Sequence, residues 1–228
     1  IMLLVLNHKS NLTYDEVINY HHDLLKLSLF DHQLIVCPSY CYLPFFDDVT
    51  LGSQDVSEFP FGAYTGQVSA SALKSLHVSY VIINHSERLQ YCHESLKNAK
   101  KKIEMVLEQK MTPIICIGDT KEEHDQNLYL QRLEEQLDYL VQDLKGDEFI
   151  VAYEPIYAIG TGDIPKNEDI KKIAKMIKEK YQVRVLYGGS VNQNNAALLS
   201  QIEELDGFLL GGISLKLDKL QELIKKLS

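Results

Sequence analysis

The sequence predicts an α/β protein of eight strand–helix units, organised as one domain over residues 1–228. Three observations predict it. Apolar runs of strand length alternate with longer amphipathic stretches from one end to the other. Several of these runs are continuous in Val, Ile and Leu, as expected of strands buried on both faces of a parallel sheet. No linker, composition shift or low-complexity run marks a second domain, and 228 residues suit an α/β barrel that folds as one unit. Strands alternating with helices imply right-handed parallel crossovers. Periodicity alone leaves two architectures open, a closed barrel and an open doubly wound sheet.

The elements follow in chain order. Met2–Leu6 is the first strand candidate. The apolar segment 1–6 is too short to span a bilayer and lacks a basic stretch and a cleavage site, so it reads as a strand and not a secretion signal. Thr13 with Glu16 three residues later forms a capping box for the first helix. Strand candidates then fall at Leu34–Cys37, Val49–Gln54 and Tyr80–Asn84, the last around Val81-Ile82-Ile83. Leu96–Leu107 is helical in pattern, with Ile103, Val106 and Leu107 on one stripe and Lys100, Lys101 and Lys102 toward solvent. Thr112–Ile117 is a strand. Leu128–Leu144 places Leu130, Leu133, Leu137, Leu140 and Leu144 at three- and four-residue steps. Phe149–Tyr153, Arg184–Tyr187 and Gly207–Leu210 complete the strands, with helices at Ile170–Tyr181 and Leu217–Leu227.

Composition narrows the function classes. Hydrophobic residues make up 45% and charged residues 24%, ordinary for a soluble globular chain. Twenty-three basic against 32 acidic residues leave a net charge of −9. That balance argues against nucleic acid or an anionic membrane surface as a partner, but not against a small phosphorylated substrate. Backbone amides and one lysine bind a phosphate locally whatever the total charge. Cys37, Cys41, Cys92 and Cys116 form no C-x-x-C pair and have no histidine at zinc-ligand spacing. They read as buried, reduced thiols of a cytoplasmic protein, with no metal site.

The polar and glycine-rich clusters share one location. Asn7-His8-Lys9 follows the first strand and Asn84-His85-Ser86-Glu87-Arg88 the fourth. Glu154-Pro155 follows the sixth, Gly188-Gly189-Ser190 the seventh, and Gly211-Gly212 the eighth. All five stand at strand C-termini, where α/β folds place their sites. Either glycine pair alone is an ordinary tight turn. Together, after consecutive strands, they favour a phosphate site, because glycine lets the backbone approach an anion closely. Gly160-Thr161-Gly162 fails as a dinucleotide motif, since the third glycine would fall at Pro165, and no P-loop is present. Glu154, at the end of an apolar run, could take a proton from carbon next to a carbonyl, given an electrophile for the developing enediolate. His85 and Lys9 are the available electrophile and cation.

At these residues the chain resembles the triosephosphate isomerase family. Residues 152–162, from Ala152-Tyr153-Glu154-Pro155 to Gly160-Thr161-Gly162, are similar to the family's hinge and lid. Residues 84–88 resemble its histidine loop, 7–9 its Asn-aromatic-Lys loop, and 187–191 with 206–212 its two phosphate loops. Gly62-Ala63-Tyr64-Thr65-Gly66-Gln67-Val68-Ser69 resembles its interdigitating dimer loop. The resemblance runs in order along almost the whole chain. It implies a closed (β/α)8 barrel and a cofactor-independent, cytoplasmic aldose–ketose isomerase that works as a homodimer. It implies Glu154 as the base, His85 as a neutral electrophile, and Lys9 stabilising negative charge. Asn7 would line the site, and Glu87 would contact Lys9 or relay protons. Gly160, Ser190, Gly211 and Gly212 would donate N–H groups to phosphate, and Ile159 and Leu209 would clamp the base beneath a lid at 156–162. Thr65 would reach a second copy of the chain.

Some positions depart from the family's pattern. His8 and Tyr157 stand where tryptophans are usual, and the chain has no Trp. His8 reads as packing or surface, and Tyr157 as an aromatic anchor for the lid. Asn84 replaces a glycine, Leu89 an arginine, Gln67 an acid and Asp55 an asparagine, and the segment 162–187 is compressed. Three other readings compete: a different phosphate-binding barrel enzyme, an inactive binding protein on the same scaffold, and an open doubly wound regulator. The first has no need of the His85–Glu154 pair. The second should have lost Lys9, His85 or Glu154, and the third would not draw loops from five strands.

Overall fold

The computed structural model describes residues 1–158 and 165–228. Eight parallel strands occur in it: β1 Leu3–Asn7, β2 Gln33–Cys37, β3 Gly52–Ser53, β4 Tyr80–Ile83, β5 Thr112–Ile117, β6 Ile150–Tyr153, β7 Arg184–Tyr187 and β8 Gly207–Leu210. They pair in the order β2-β1-β8-β7-β6-β5-β4-β3. A bridge between Val36 and Leu51 joins β2 to β3 and closes the (β/α)8 barrel. The closed barrel that the resemblance implied is therefore the observed one, and the open doubly wound alternative is excluded.

Around the barrel lie α1 Tyr14–Leu24, α2 Ala70–Ser75, α3 Ser86–Tyr91, α4 Leu96–Glu108, α5 Lys121–Asp125, α6 Tyr129–Val141, α7 Asn167–Tyr181, α8 Ala196–Leu199 and α9 Leu217–Leu227. Alternation along each strand splits the core in two. Leu3 and Val5 point inward with Ile35, Ile82, Ile114, Ile150 and Leu186, filling the barrel. Leu4, Leu6, Val81, Ile83 and Val151 point outward against the apolar stripes of the helices. Both faces of every long strand are thus covered, which is why these strands read as unbroken apolar runs.

The helix starts are set locally. The Thr13 N–H donates to Glu16 at 2.7 Å, completing the expected capping box of α1. Ser95 with Asn98 and Thr120 with Glu123 do the same for α4 and α5. At its other end, α7 stops on Gln182, whose φ of 55° is left-handed, and β7 begins two residues later. This abrupt exit accounts for the compressed segment before β7.

Four expectations need correction. The third strand is two residues long, Gly52–Ser53, and Gly52 lies so close to Cys37 and Ile35 that no side chain fits there. No α-helix links β2 to β3; a 3-10 turn, Tyr40–Phe46, carries Pro44 in its place. Cys41 and Cys92 are exposed, whereas Cys37 and Cys116 are buried. Lys102 is not on the solvent face of α4 but 4% exposed. Its ammonium lies 2.6 Å from Asp55 and 2.7 Å from Glu94, and Arg88 reaches Asp55 at 2.9 Å. A charge leaves water only when so compensated, and of the two carboxylates one, Glu94, stands just before the helix while the other, Asp55, is 47 residues away.

His8 packs as a core residue, edge-on to Tyr20 at 4.6 Å and near Phe46 at 6.0 Å. It is 1% exposed, and neither ring nitrogen has a hydrogen-bond partner among the described residues. Burial lowers its pKa to about 4. The folded protein therefore holds fewer protons here than the unfolded chain, so stability falls as pH drops from the ordinary histidine value toward 4. The loss from this residue is about 3 kcal/mol at most. Denaturant midpoints at pH 6.5 and 4.5 should differ less for His8→Phe than for the unmodified chain; equal differences would show that His8 is not the buried neutral group.

Candidate active site

The ends of β1, β4 and β6 bring Lys9, His85 and Glu154 to one cavity at the C-terminal rim of the barrel. After β1, Lys9 sits at a left-handed φ of 54°. Three side chains hold that unfavourable turn: Asn7 Oδ1 accepts the Lys9 N–H at 3.0 Å, and Gln54 Nε2 and Ser39 Oγ donate to its carbonyl at 2.8 and 3.2 Å. So fixed, Lys9 Nζ lies 2.6 Å from Glu87 Oε1.

After β4, Asn84 takes a φ of 64°, a conformation asparagine tolerates better than most side chains. This turn aims His85 inward at the start of α3. His85 Nδ1 accepts the Glu87 N–H at 3.2 Å, which leaves the proton of a neutral imidazole on Nε2. Nε2 is 2.9 Å from Glu154 Oε1. Burial by itself would pull the His85 pKa down; the Glu154 carboxylate and then Glu87 outweigh it, and the net shift is upward. A Glu154 that turned away toward another partner would return the ring to the neutral form.

Glu154 follows β6 and is 2% exposed. Its N–H donates to the Ile117 carbonyl at 2.8 Å and Ile156 N–H to the Asp119 carbonyl at 3.1 Å, extending the strand pairing past the carboxylate. Glu154 Oε2 accepts the Ser86 N–H at 3.3 Å. Two glycines make room: a Cβ at Gly118 would collide with the Glu154 carbonyl, and one at Gly188 would meet Glu154 Cγ at 2.9 Å. The Cys116 thiol is buried beneath; burial first, and the Glu154 carboxylate second, push its pKa up.

A cavity of about 220 Å³ opens above these groups, lined by Asn7, Lys9, His85, Glu154, Gly188–Val191, Leu209, Gly211 and Gly212. Its far wall is mostly backbone. Gly212 opens a 3-10 turn whose first N–H groups have no preceding carbonyl to bond, so they can serve an anion. Ser190 Oγ donates to the Ala158 carbonyl at 2.6 Å, joining this wall to the exit of β6. One wall can take a small anion, and the opposite wall holds a carboxylate, an imidazole and an ammonium within reach of its neighbour. Among the described residues there is no group of three His, Cys, Asp or Glu placed to hold a metal ion.

Asn7, Lys9, His85, Glu154, Ser190, Leu209, Gly211 and Gly212 all line this one cavity. Glu87 stands behind Lys9 and His85 and does not line it. Thr65 is exposed on its loop and does not line it either. Ile159 and Gly160 lie outside the described residues. Sequence reasoning missed Ser39 and the roles of Gln54, Asp119 and Cys116. Ser39, Gln54 and Cys116 serve through contacts formed only by folding; Asp119, directly after β5 and Gly118, had the same strand-end placement as the residues that were found.

The family model for "Triosephosphate isomerase" matches residues 2–227 of the chain. Among relatives, the triosephosphate isomerase of Mycoplasmopsis agalactiae is 39% identical over 198 residues, covering 83% of this chain and 77% of that protein. That of Mycoplasmopsis pulmonis is 33% identical over 98% of this chain and 96% of its own length. That of Alkaliphilus metalliredigens is 40% identical over 75% and 74%.

The contact between Glu154 and His85 can be read directly. In an NMR titration the His85 ring should hold its proton to higher pH than an ordinary histidine, and Glu154→Gln should lower that value, because burial stays while the carboxylate goes. An unchanged titration in the variant would show that the two side chains do not meet in solution.

Proposed function

The chain belongs to the triosephosphate isomerase family, and from that premise we propose how its site carries the reaction. The reaction interconverts dihydroxyacetone phosphate and glyceraldehyde 3-phosphate, a step shared by glycolysis and gluconeogenesis. The observation that carries the proposal is the buried Glu154 carboxylate paired with His85 at the open edge of a cavity whose opposite wall is glycine backbone.

The phosphate sits against the N–H groups of the Ser190 and Gly211-Gly212 turns. That anchor leaves the carbon skeleton between Glu154 and His85. Glu154 then exchanges His85 for the substrate and removes a proton from the carbon beside the carbonyl. The carbonyl takes up the electron pair as an enediolate oxygen, polarised by the Nε2–H of a neutral His85 and by the Lys9 ammonium. The enediolate oxygen takes the Nε2 proton of His85, and the neighbouring hydroxyl gives its proton back to that nitrogen. The hydroxyl oxygen thereby becomes the new carbonyl as Glu154 returns its proton to the former carbonyl carbon. Asn7 and Glu87 fix the lysine. Leu209 covers the carboxylate on one side, which keeps water from weakening it as a base. Shielding also matters because an enediolate exposed to water can expel its phosphate. Ile159 and Gly160 belong to the same proposal as lid residues.

A second copy of the chain is part of this reading, and so is a cytoplasmic setting for a chain with four free cysteines. No described helix is long and apolar enough to cross a membrane. Phe61, directly before the 62–69 loop, is 84% exposed, and Tyr91 is 70% exposed beside a groove of about 360 Å³ next to Lys9. Aromatic side chains so exposed favour burial in an interface. The loop of each copy enters the groove of the other, with Thr65 nearest the lysine and no cofactor taking part.

Two measurements check the reading. In a coupled assay, Glu154→Gln should lose about a thousandfold in kcat, and Glu154→Asp, with its shorter reach, a smaller but large factor. A Gln variant as active as the parent would remove Glu154 from the chemistry. In sedimentation at micromolar concentration the chain should run as a dimer, and dilution to monomer should abolish turnover; full activity in a proven monomer would refute the dimer requirement.

A further inference from the structure

Below the site, on the outer side of the β6 exit, lies a second polar cluster that the reaction does not use. Asp119 is fully buried at the end of β5. One of its carboxylate oxygens accepts the Tyr153 hydroxyl at 2.9 Å, and the other faces His124 Nδ1 at 3.0 Å. Its backbone carbonyl accepts the Ile156 N–H at 3.1 Å. Tyr153 directly precedes Glu154, and Ile156 follows it by two residues. One aspartate thus holds the chain on both sides of the base.

His124 in turn holds the aspartate. It lies on α5, stacked on Tyr129 of α6 at 4.6 Å and tilted against Tyr157 at 5.3 Å. Its Nε2 lies 3.7 Å from Asp169, in the first turn of α7, and Tyr129 donates to the same carboxylate at 3.4 Å. Lys121, on the same helix as His124, sits over the Tyr157 ring at 5.7 Å. The imidazole is therefore fixed in plane and direction by three elements, with one nitrogen aimed at Asp119.

We propose that His124 is a positioning residue for the base, acting on Glu154 through Asp119. The physical reason is the cost of an unsatisfied buried carboxylate. Burial already pushes the Asp119 pKa up, and the hydrogen bonds from Tyr153 and His124 oppose that push. Without the imidazole donor, Asp119 must take up a proton or turn toward another donor. Either change alters its grip on Tyr153 and with it the direction of Glu154. Effects of this size need little movement, since a displacement of ~1 Å at the reacting group costs about a hundredfold in rate. His124 itself has no part in the barrel core, so its removal leaves the fold in place.

The inference rests on the isomerase reading, and the experiment separates the two. His124→Ala should lower kcat by about ten- to a hundredfold with KM little changed, since the phosphate wall is untouched. His124→Asn, whose amide reaches the place of Nδ1, should restore most of kcat. Both variants should stay folded at the assay temperature, the alanine variant with a somewhat lower thermal midpoint because Asp119 loses a donor and the asparagine variant close to the parent. An alanine variant with parental kcat, or alanine and asparagine variants equally impaired, would overturn the proposal. Inactivity of the parent chain would sink the isomerase reading instead. The tie is then read without turnover: His124→Ala should lower the NMR titration of His85 as Glu154 shifts away from it, and an unchanged His85 would overturn the proposal on its own.

Discussion

A carboxylate that is 2% exposed can stay in place only if donors meet it and nothing crowds it, and the Glu154 side chain sets both conditions for its neighbours. The donors are His85 Nε2 at 2.9 Å and the Ser86 N–H at 3.3 Å, both supplied by the turn after β4. That turn exists because Asn84 accepts a left-handed φ and donates through Nδ2 to the Cys116 carbonyl at 2.8 Å. The space comes from Gly118 after β5 and Gly188 after β7, on either side of β6. Four consecutive strands of the barrel therefore have their C-terminal turns fixed by one side chain. Their parallel direction is what brings those turns to the same rim.

The lysine side of the cavity depends on a second set of charges below it. Lys9 and Glu87 form a half-exposed pair, and Arg88, next in the chain, reaches down to Asp55 and Glu94, where Lys102 is buried. Two cations and two anions balance there, so the cluster adds no net charge beneath a site that must bind a dianion. The extra carboxylate at Asp55, where the family usually carries an asparagine, is pushed toward protonation by burial and held back by Lys102. Breaking such a set by removing one member would strand an uncompensated charge. It ties α3, α4 and the loop after β3 together at the base of the Lys9–Glu87 pair.

How much of this was legible in the sequence differs by type of contact. The strands could be read because burial on both faces makes Val81-Ile82-Ile83 or Ile114-Ile115 continuous. The long helices could be read because their stripes repeat at helical steps. The short third strand and the 3-10 turn before it could not, since Gly52 is required by Cys37 and Ile35, residues that periodicity does not connect to it. At the site, residues at strand ends were visible as clusters: Lys9, His85, Glu154, Ser190, Gly211 and Gly212. The residues that hold them were not. Gln54 supports Lys9 across 45 positions and Asp119 reaches Tyr153 across 34. Lys102 read as a surface lysine because the helical stripe was drawn from hydrophobic residues alone, and Asp55, which it meets at 2.6 Å, is 47 positions away.

The departures from the family share a physical logic. Replacing tryptophan with His8 keeps an aromatic body between Tyr20 and Phe46 but leaves two ring nitrogens without hydrogen-bond partners among the described residues, a cost borne by the neutral form. Replacing glycine with Asn84 keeps the left-handed turn and adds a hydrogen bond to the Cys116 carbonyl. Replacing the hinge tryptophan with Tyr157 keeps a ring against His124. In each case the side chain present fits the backbone path seen here and sets what lies behind it. That pattern follows from how the cavity is made. One wall of it is mostly glycine backbone, the other carries the Lys9, His85 and Glu154 side chains, and the turns that aim these are what a substitution there has to preserve.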